Sequence, residues 1–196
     1  MLVSTVDRQA IGPNGSVVGL ATLNGWFHRL TGVCMPLYVI TDWLGLVPIA
    51  VALGFALVGL VQWCKRRSIA KVDRDLLALG GFYLVVMAAY LLFEEVVVNY
   101  RPVLIDGFLE ASYPSSTTLL VLCVIPTAIR QLRRRLRRGK VRTAATALFS
   151  AFAAFMVIGR VMAGVHWLTD ILGGMLLSGA LVALYCATAE KFSPAR

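Results

Sequence analysis

Four long apolar stretches limit what this chain can fold into more than any other feature of its sequence. A helix needs about 20 apolar residues to cross the hydrocarbon core of a bilayer, and each of the four comes close to that length. A fifth, shorter stretch begins just after Pro114 and runs into a group of arginines. The sequence therefore predicts about five membrane-spanning helices. The five stretches are Leu44–Trp63, Leu76–Val98, Ser116–Ile129, Thr143–Ile158 and Trp167–Ala187.

The composition agrees with this interpretation. Of the 196 residues, 59% are hydrophobic and only 15% are charged, which excludes a disordered chain and argues against a soluble domain. No internal repeat or low-complexity segment divides the chain. We therefore expect an all-α, polytopic transmembrane helical bundle that forms a single membrane domain over residues 1–196, with an N-terminal segment at 1–43 and the bundle at 44–189.

The N-terminal segment, residues 1–43, has neither the basic start nor the apolar core of a cleavable signal peptide. Apolar residues at helical spacing predict an amphipathic helix that lies in the membrane interface, and His28 on that helix is expected to be an interfacial residue. Because Pro36 and Asp42 interrupt the approach to the first span, a re-entrant segment is the alternative. The apolar residues are Leu20, Leu23, Phe27 and Leu30.

The net charge of +9 is concentrated in two loops between predicted spans. In a five-span path both loops lie on one side of the membrane, which the positive-inside rule makes cytoplasmic. The charge is then a topology signal that also attracts anionic lipids, and it does not indicate nucleic-acid binding. The N-terminus lies outside the cytoplasm and the C-terminus inside, in what we expect to be a bacterial inner (plasma) membrane. The basic residues are Lys65, Arg66, Arg67, Lys71 and Arg74 in one loop, and Arg130, Arg133, Arg134, Arg135, Arg137, Arg138, Lys140 and Arg142 in the other.

Two polar clusters lie at the outer ends of the second and third spans. Arg101 precedes Pro102, which ends a helix, so its guanidinium is held where it can grip an anion with paired donors. Residues 113–118 open the next span with a proline, two serines and two threonines. A helix start of this kind offers free backbone N–H groups to a phosphate. The alternative interpretation is that these residues only cap the helix and bind no ligand.

A third cluster, Arg160 with His166 and Asp170, lies between the last two spans. If a helix begins near His166, Asp170 shares its face four residues later, and the carboxylate can hold one ring nitrogen while the other points outward. Two arginines, a hydroxyl-rich helix start and such a histidine together indicate phosphoryl transfer through a covalent phosphohistidine. No motif suggests a required metal or another cofactor, and the four cysteines are too scattered for a metal or redox site.

In this order the three clusters resemble the type 2 phosphatidic acid phosphatase superfamily, which also contains the vanadium-dependent haloperoxidases. That family carries a Lys seven residues before Arg-Pro, then Pro-Ser-Gly-His, then Ser-Arg, five residues, His, three residues and Asp. The resemblance implies a helical bundle with its site at the membrane surface and a phosphorylated lipid as substrate. It implies His166 as the nucleophile and Asp170 as the residue that orients it. The phosphoryl oxygens would be bound by Arg101, Arg160, Ser115, Ser116 and Thr117.

Three family positions differ in this chain. Glu94 stands where the family has its Lys, Thr117 where it has the histidine that protonates the leaving oxygen, and Gly159 where it has Ser. Loss of a general acid slows the departure of an alkoxide about 10²–10⁴-fold, whereas a phosphate leaving from a diphosphate needs little protonation. We therefore expect a lipid phosphatase that favours polyprenyl-type diphosphates, with Glu94 as a candidate acid or substrate-reading residue. The alternative is a catalytically impaired member that binds or transports phosphorylated lipids.

Overall fold

The computed structural model describes residues 2–191, and the regular elements of this part are helices. Short 3-10 turns lie at Pro13–Gly15 and Ile69–Lys71. The α-helices are α1 (Leu2–Thr5), α2 (Ala21–Thr31), α3 (Met35–Leu44), α4 (Leu46–Arg66), α5 (Arg74–Glu95), α6 (Ser116–Arg135), α7 (Lys140–Ala163) and α8 (Leu168–Lys191). Within this part, four segments are long and apolar enough to cross a membrane: α3 together with α4, then α5, α7 and α8. The prediction of an all-α, polytopic bundle is confirmed.

Helix α6, the remaining predicted span, is the central helix of the bundle. Its 20 residues end in a run of arginines, so its composition is less apolar than that of its neighbours. It contacts α4, α5, α7 and α8, and these helices shield its middle turns from the surroundings. Its polar residues Thr127 and Gln131 are buried against protein, where hydrogen bonds replace the solvation that lipid cannot give.

The core between α5, α6 and α8 fixes the relative position of the two helices that begin at the candidate site. Leu79 and Phe82 of α5 pack with Leu119 of α6 and Tyr185 of α8 in one buried cluster. Near the start of the pair, a Cβ on Gly174 would lie 3.1 Å from the Ser115 carbonyl oxygen. A larger residue would separate the helices, so the glycine allows the N-termini of α6 and α8 to lie side by side.

The two ends of the bundle differ in their charged residues. At one end, which we call the basic end, Arg66 lies 3.0 Å from Asp73, Arg135 contacts Asp73 at 3.2 Å and Asp75 at 3.0 Å. At the other end, called the site end, α5 and α7 finish while α4, α6 and α8 begin. The described loops that carry most of the basic residues are therefore all at the end away from the three polar clusters.

The N-terminal segment is tied to the bundle through α2. Asn24, which is fully buried, donates to Thr169 Oγ1 at 2.9 Å and accepts from the Thr169 N–H at 3.1 Å, so it caps the start of α8. His28 packs edge-on against Trp167 with ring centroids 5.4 Å apart, and burial lowers its pKa. Leu23 remains partly exposed, as expected of an amphipathic helix. The division of the domain at residue 43 stays a prediction.

Candidate functional site

The turn between α7 and α8 holds His166 in place. Gly164 ends α7 with a φ of 66°, and a Cβ there would fall 1.8 Å from the Gly32 carbonyl oxygen, so only glycine fits. The Trp167 indole donates to the Tyr100 carbonyl at 2.7 Å, which fastens the turn to the loop before α6. Helix α8 begins at Leu168, two residues later than the sequence predicts from His166.

A serine lies between the histidine and the carboxylate. His166 Nδ1 lies 3.8 Å from Asp170 Oδ2, so the two side chains share one face as predicted, but the distance is too long for a direct hydrogen bond. Ser112 Oγ is instead 3.0 Å from His166 Nδ1 and donates a short hydrogen bond to Asp170 Oδ2. The difference arises because Asp170 also accepts from the Trp167 N–H at 2.9 Å, which turns its carboxylate towards the start of α8.

This arrangement selects one tautomer of the imidazole. A hydroxyl has a single proton, and Ser112 gives it to Asp170, so Ser112 accepts from His166 Nδ1–H. Nε2 then carries the lone pair, and it is buried without a hydrogen-bond partner. Burial, opposed by Asp170 and reinforced by the charges of two arginines, lowers the pKa of His166 to about 4. The ring is thus a neutral nucleophile at physiological pH.

Two buried arginines flank the same aromatic ring. The guanidinium carbon of Arg160 lies 5.1 Å from the ring centre of Tyr38, and that of Arg101 lies 5.7 Å from it. Arg160 is 1% exposed and Arg101 is 9% exposed. Each has a guanidinium nitrogen that is buried without a hydrogen-bond partner, Nε in Arg160 and Nη1 in Arg101. Two like charges held together with free donors form a site that an anion would stabilise.

The ion pairs of these arginines are incomplete. Arg101 Nε lies 3.0 Å from Glu110 Oε2 but out of line for a hydrogen bond. Arg160 Nη1 is 3.6 Å from Asp42 Oδ1 and donates a long hydrogen bond of 3.4 Å to Thr41 Oγ1. Neither carboxylate therefore satisfies its arginine, and both guanidinium groups keep donors for a further acceptor.

Helix α3 forms a wall of the site that the sequence did not predict. Tyr38, Thr41 and Asp42 come from its last two turns and face the end of α7. The approach is close because residue 159 is glycine: a Cβ there would lie 2.7 Å from Thr41 Cγ2. The change from the expected serine to Gly159 therefore has a packing reason.

The start of α6 supplies the remaining predicted residues. Ser115 is fully buried, and its hydroxyl caps the helix by accepting from the Thr118 N–H at 3.4 Å. Its own N–H donates to the Asp170 carbonyl at 3.0 Å, so Ser115 joins α6 to α8 and its backbone has no donor left for a phosphate. The N–H groups of Ser116 and Thr117 lie in the first turn, where helices leave donors unpaired.

Two cavities meet at Ser116. A narrow cavity of about 20 Å³ is lined by His166, Arg101, Ser112, Ser116 and Glu94. A wider, mostly apolar groove of about 380 Å³ runs between α4, α5 and α6, and Tyr90, Ser116 and Leu119 line both. The groove is also lined by Asp42 and Thr117. A polar pocket thus opens onto an apolar groove at the start of α6.

Comparison with known proteins agrees with this geometry. Residues 100–193 match the model of the PAP2 superfamily. The predicted resemblance to this superfamily is confirmed. The fold is similar to that of a transmembrane PAP2-type phosphatidylglycerolphosphate phosphatase from Bacillus subtilis, with a TM-score of 0.54 and 23% sequence identity over 90% of this chain and 89% of that one. No curated protein sequence matches the chain significantly.

The PAP2 segment, residues 100–193, contains all the predicted site residues except Glu94. The structure brings His166, Asp170, Arg101 and Arg160 together at the site end, whereas Thr117 faces the groove near Gly45. Glu94 lies exposed at the rim of the narrow cavity. Their catalytic and binding roles stay predictions.

Four residues at the site escaped the sequence analysis. Ser112 precedes the recognised Pro-Ser pattern and carries no signal of its own. Tyr38, Thr41 and Asp42 lie outside the PAP2 segment, more than 110 residues before Arg160 in the chain. The one available signal was Asp42, because a carboxylate beside a membrane span is costly and usually has a partner or a function.

Proposed function

We propose that this protein is a membrane lipid phosphatase that hydrolyses a phosphorylated lipid through a phosphohistidine intermediate at His166. The observation that carries the proposal is His166 Nε2, which is buried, neutral and unpartnered beside two arginines with free donors. The match of residues 100–193 to the PAP2 superfamily supports it, as does the fold shared with a membrane phosphatase.

In the first step, Nε2 attacks the phosphorus while the bond to the leaving oxygen breaks. Arg101 and Arg160 hold the non-bridging oxygens with Ser116 and Thr117 at the start of α6, and they stabilise the charge that builds up in the transition state. As the ring becomes positively charged, His166 Nδ1–H donates to Ser112 Oγ, which in turn donates to the Asp170 carboxylate. Through this chain of hydrogen bonds, the negative charge of Asp170 stabilises the positive ring. The unpartnered nitrogens of Arg101 and Arg160 support these roles.

The lipid part of the substrate fits the apolar groove. The groove adjoins the phosphate pocket through Ser116 and Leu119 and opens between α4, α5 and α6. A hydrocarbon chain there buries apolar surface while its head reaches the arginines. The PAP2-type protein from Bacillus subtilis acts on phosphatidylglycerolphosphate, and a phosphorylated membrane lipid is the corresponding substrate class for this chain.

Among such lipids we propose a preference for diphosphates. Thr117 stands where a histidine would protonate the leaving oxygen, and a threonine hydroxyl is too weak an acid for this. A lipid monophosphate leaving from a diphosphate departs as a stabilised anion and needs no such acid. Glu94 at the rim would repel a phosphate unless the carboxyl is protonated or contacts a cationic group of the substrate. We therefore propose that Glu94 also helps to select the substrate.

The charge distribution supports an extracytoplasmic site. Basic loops at one end of the bundle would face the cytoplasm by the positive-inside rule, which leaves the site end and the N-terminus outside.

The second candidate function is a lipid-binding or transport protein that has lost hydrolysis. Thr117 favours it, but a neutral, oriented His166 argues against it because phosphate binding alone needs no nucleophile.

The test is phosphate release by the purified protein in nanodiscs without added metal, from the monophosphate and the diphosphate of one prenyl alcohol. We expect release that His166→Ala abolishes, with the diphosphate hydrolysed at least about tenfold faster. His28→Gln, at the only other histidine in the chain, is the matched control and should leave release unchanged. Equal rates on both lipids would overturn the diphosphate preference. Tight binding of both lipids without any release would favour the alternative function.

A further inference from the structure

We infer that Asp42 is a further catalytic residue, the general base that activates the water in the second half of the reaction. This inference rests on the proposed phosphohistidine mechanism. The phosphohistidine at His166 must be hydrolysed to restore the enzyme. In the family, the histidine at the position of Thr117 would assist this hydrolysis with a ring nitrogen. This chain has only two histidines, and His28 packs edge-on against Trp167. Another group must therefore take the proton of the water.

The position of Asp42 suits this task. Its carboxylate lies 3.6 Å from Arg160 and lines the apolar groove together with Ser116 and Thr117. His166 lines the narrow cavity on the other side of Ser116. We place the phosphoryl group at Ser116, where the two cavities meet, with His166 in one cavity and Asp42 in the other. In-line displacement requires that the water enter from the side that the leaving group has vacated, which is the groove.

The surroundings of Asp42 fit a base more than a structural ion pair. Its side chain is 55% exposed, whereas the side chain of Arg160 is 1% exposed, so protein does not cover the carboxylate and a water that enters the groove can reach it. The distance to Arg160 is beyond hydrogen-bond range, which leaves the carboxylate oxygens free to accept. A carboxylate beside a phosphate site weakens phosphate binding by repulsion, so its presence calls for a chemical role.

The other two nearby carboxylates fit less well. Glu110 lies closer to its arginine, 3.0 Å from Arg101, than Asp42 lies to Arg160, and it does not line the groove. Glu94 lines the narrow cavity on the same side as His166, so a water that it activates would approach from the side of the nitrogen that must leave. Asp42 is the carboxylate on the groove side, beside the residue that replaces the family histidine.

In the hydrolysis step, a water molecule attacks the phosphohistidine at His166. The water oxygen forms a bond to phosphorus while the bond from phosphorus to Nε2 breaks, and a proton of the water moves to the Asp42 carboxylate. The imidazole departs as the neutral ring with its proton on Nδ1, still donated to Ser112. Inorganic phosphate leaves, and Asp42 releases the proton to solvent. Free enzyme is thereby restored.

The test is a rapid-quench measurement with a prenyl diphosphate labelled in its terminal phosphoryl group, with an alkaline quench that preserves phosphohistidine. We expect Asp42→Asn to form lipid monophosphate in a burst whose amount equals the amount of enzyme. Labelled phosphoenzyme should then accumulate, and the steady-state rate of phosphate release should fall about 10²–10⁴-fold. Asp42→Glu should restore part of the release, and formate should restore part of it in Asp42→Ala. Asp106→Asn, which removes an exposed carboxylate from the loop at the same end, should behave as wild type.

The possible results separate the two proposals. If Asp42→Asn slows the burst itself, accumulates no labelled enzyme and is not rescued by formate, then Asp42 acts by positioning Arg160 and the inference is wrong. Wild-type turnover that depends on His166 would remain in that case. If wild-type protein shows no such turnover, the proposed function fails first and the role of Asp42 falls with it.

Discussion

The arginines at the two ends of the bundle are held in opposite ways. At the basic end, Arg135 is partly exposed and contacts two carboxylates at 3.2 and 3.0 Å. A hydrogen bond from Gln62, with those from Arg66 and Arg135, lowers the pKa of Asp73 there. At the site end, Arg160 is buried and its nearest carboxylate stays at 3.6 Å.

The difference shows how charge is used in each place. Exposed, paired arginines cost little and contribute little, because water and counter-charges already solvate them. Buried arginines without full partners cost free energy in the empty protein, and that free energy is recovered when an anion binds. The basic end thus holds its arginines in exposed ion pairs, whereas the site end keeps unpartnered donors that the proposed phosphorylated substrate would occupy.

The largest difference is expected when one arginine is removed from each end of the bundle. Arg160→Ala should lower kcat/KM for the diphosphate lipid about 10²–10³-fold, the usual loss when one transition-state donor is removed. Arg135→Ala is the matched control and should leave kcat/KM unchanged. The measurement is steady-state phosphate release in nanodiscs. Similar losses in both variants would mean that the two ends do not differ in function.

A smaller effect is expected from the serine between His166 and Asp170. Ser112→Ala removes a hydrogen bond to a charged group, worth about 1.5–3 kcal/mol, which corresponds to a loss in kcat of about ten- to hundredfold. Formation of phosphoenzyme should slow, because Nδ1–H loses its acceptor as the ring becomes charged. Ser112→Thr keeps the hydroxyl and should retain more activity. Equal loss in both variants would contradict the bridging role.

The protonation of His166 gives a third test. Its folded-state pKa of about 4 lies below the ordinary value of 6.5, so the ring should stay neutral as the pH falls to about 5. The stability that this group contributes is full above pH 6.5 and is lost as the pH falls towards 4, because the unfolded chain takes up the proton first. Nitrogen NMR of labelled histidine in a His28→Gln background would follow the titration. Protonation near pH 6.5 would show that the site is more open to solvent than the structure indicates.

The smallest effect belongs to the basic end. Arg135→Ala should lower the free energy of unfolding by about 1 kcal/mol or less, since partly exposed ion pairs contribute little. For a protein of this size that is about 2–4 °C in Tm, and high salt should reduce the difference between variant and wild type. A thermal shift assay in detergent at two salt concentrations measures it. A shift several times larger would mean that Arg135 is part of the folding core.

The sequence predicted the helices well because hydrophobic length is a local property. Each predicted span overlaps an observed helix, and the ends differ by a few residues. Helix α6 starts at the predicted Ser116 but continues to Arg135, six residues beyond the predicted end, because its arginines lie at the basic end beside acidic residues. The predicted turn before Asp170 was right in place, and His166 lies 3.8 Å from Asp170, but the hydrogen bonds between them through Ser112 were not predicted.

The parts that the sequence could not predict depend on contacts between distant residues. Whether Ser112 reaches His166 depends on how the loop 96–115 folds back, with Ser112 N–H donating to the Asn99 carbonyl at 2.9 Å. The wall formed by α3 depends on the packing of α3 against α7. Neither is encoded in a spacing or a motif, so only three-dimensional structure brings these residues to the site.

A serine at residue 159, which the family carries before its arginine, would clash with Thr41 of α3. Thr41 is fully buried, and its methyl group occupies the space where the first side-chain atom of residue 159 would lie. A serine at this position would displace α3 and carry Tyr38 and Asp42 away from the arginines. Residues 41 and 159 are therefore coupled across the contact between α3 and α7: a side chain at residue 159 fits only where the Thr41 methyl group is absent or moved.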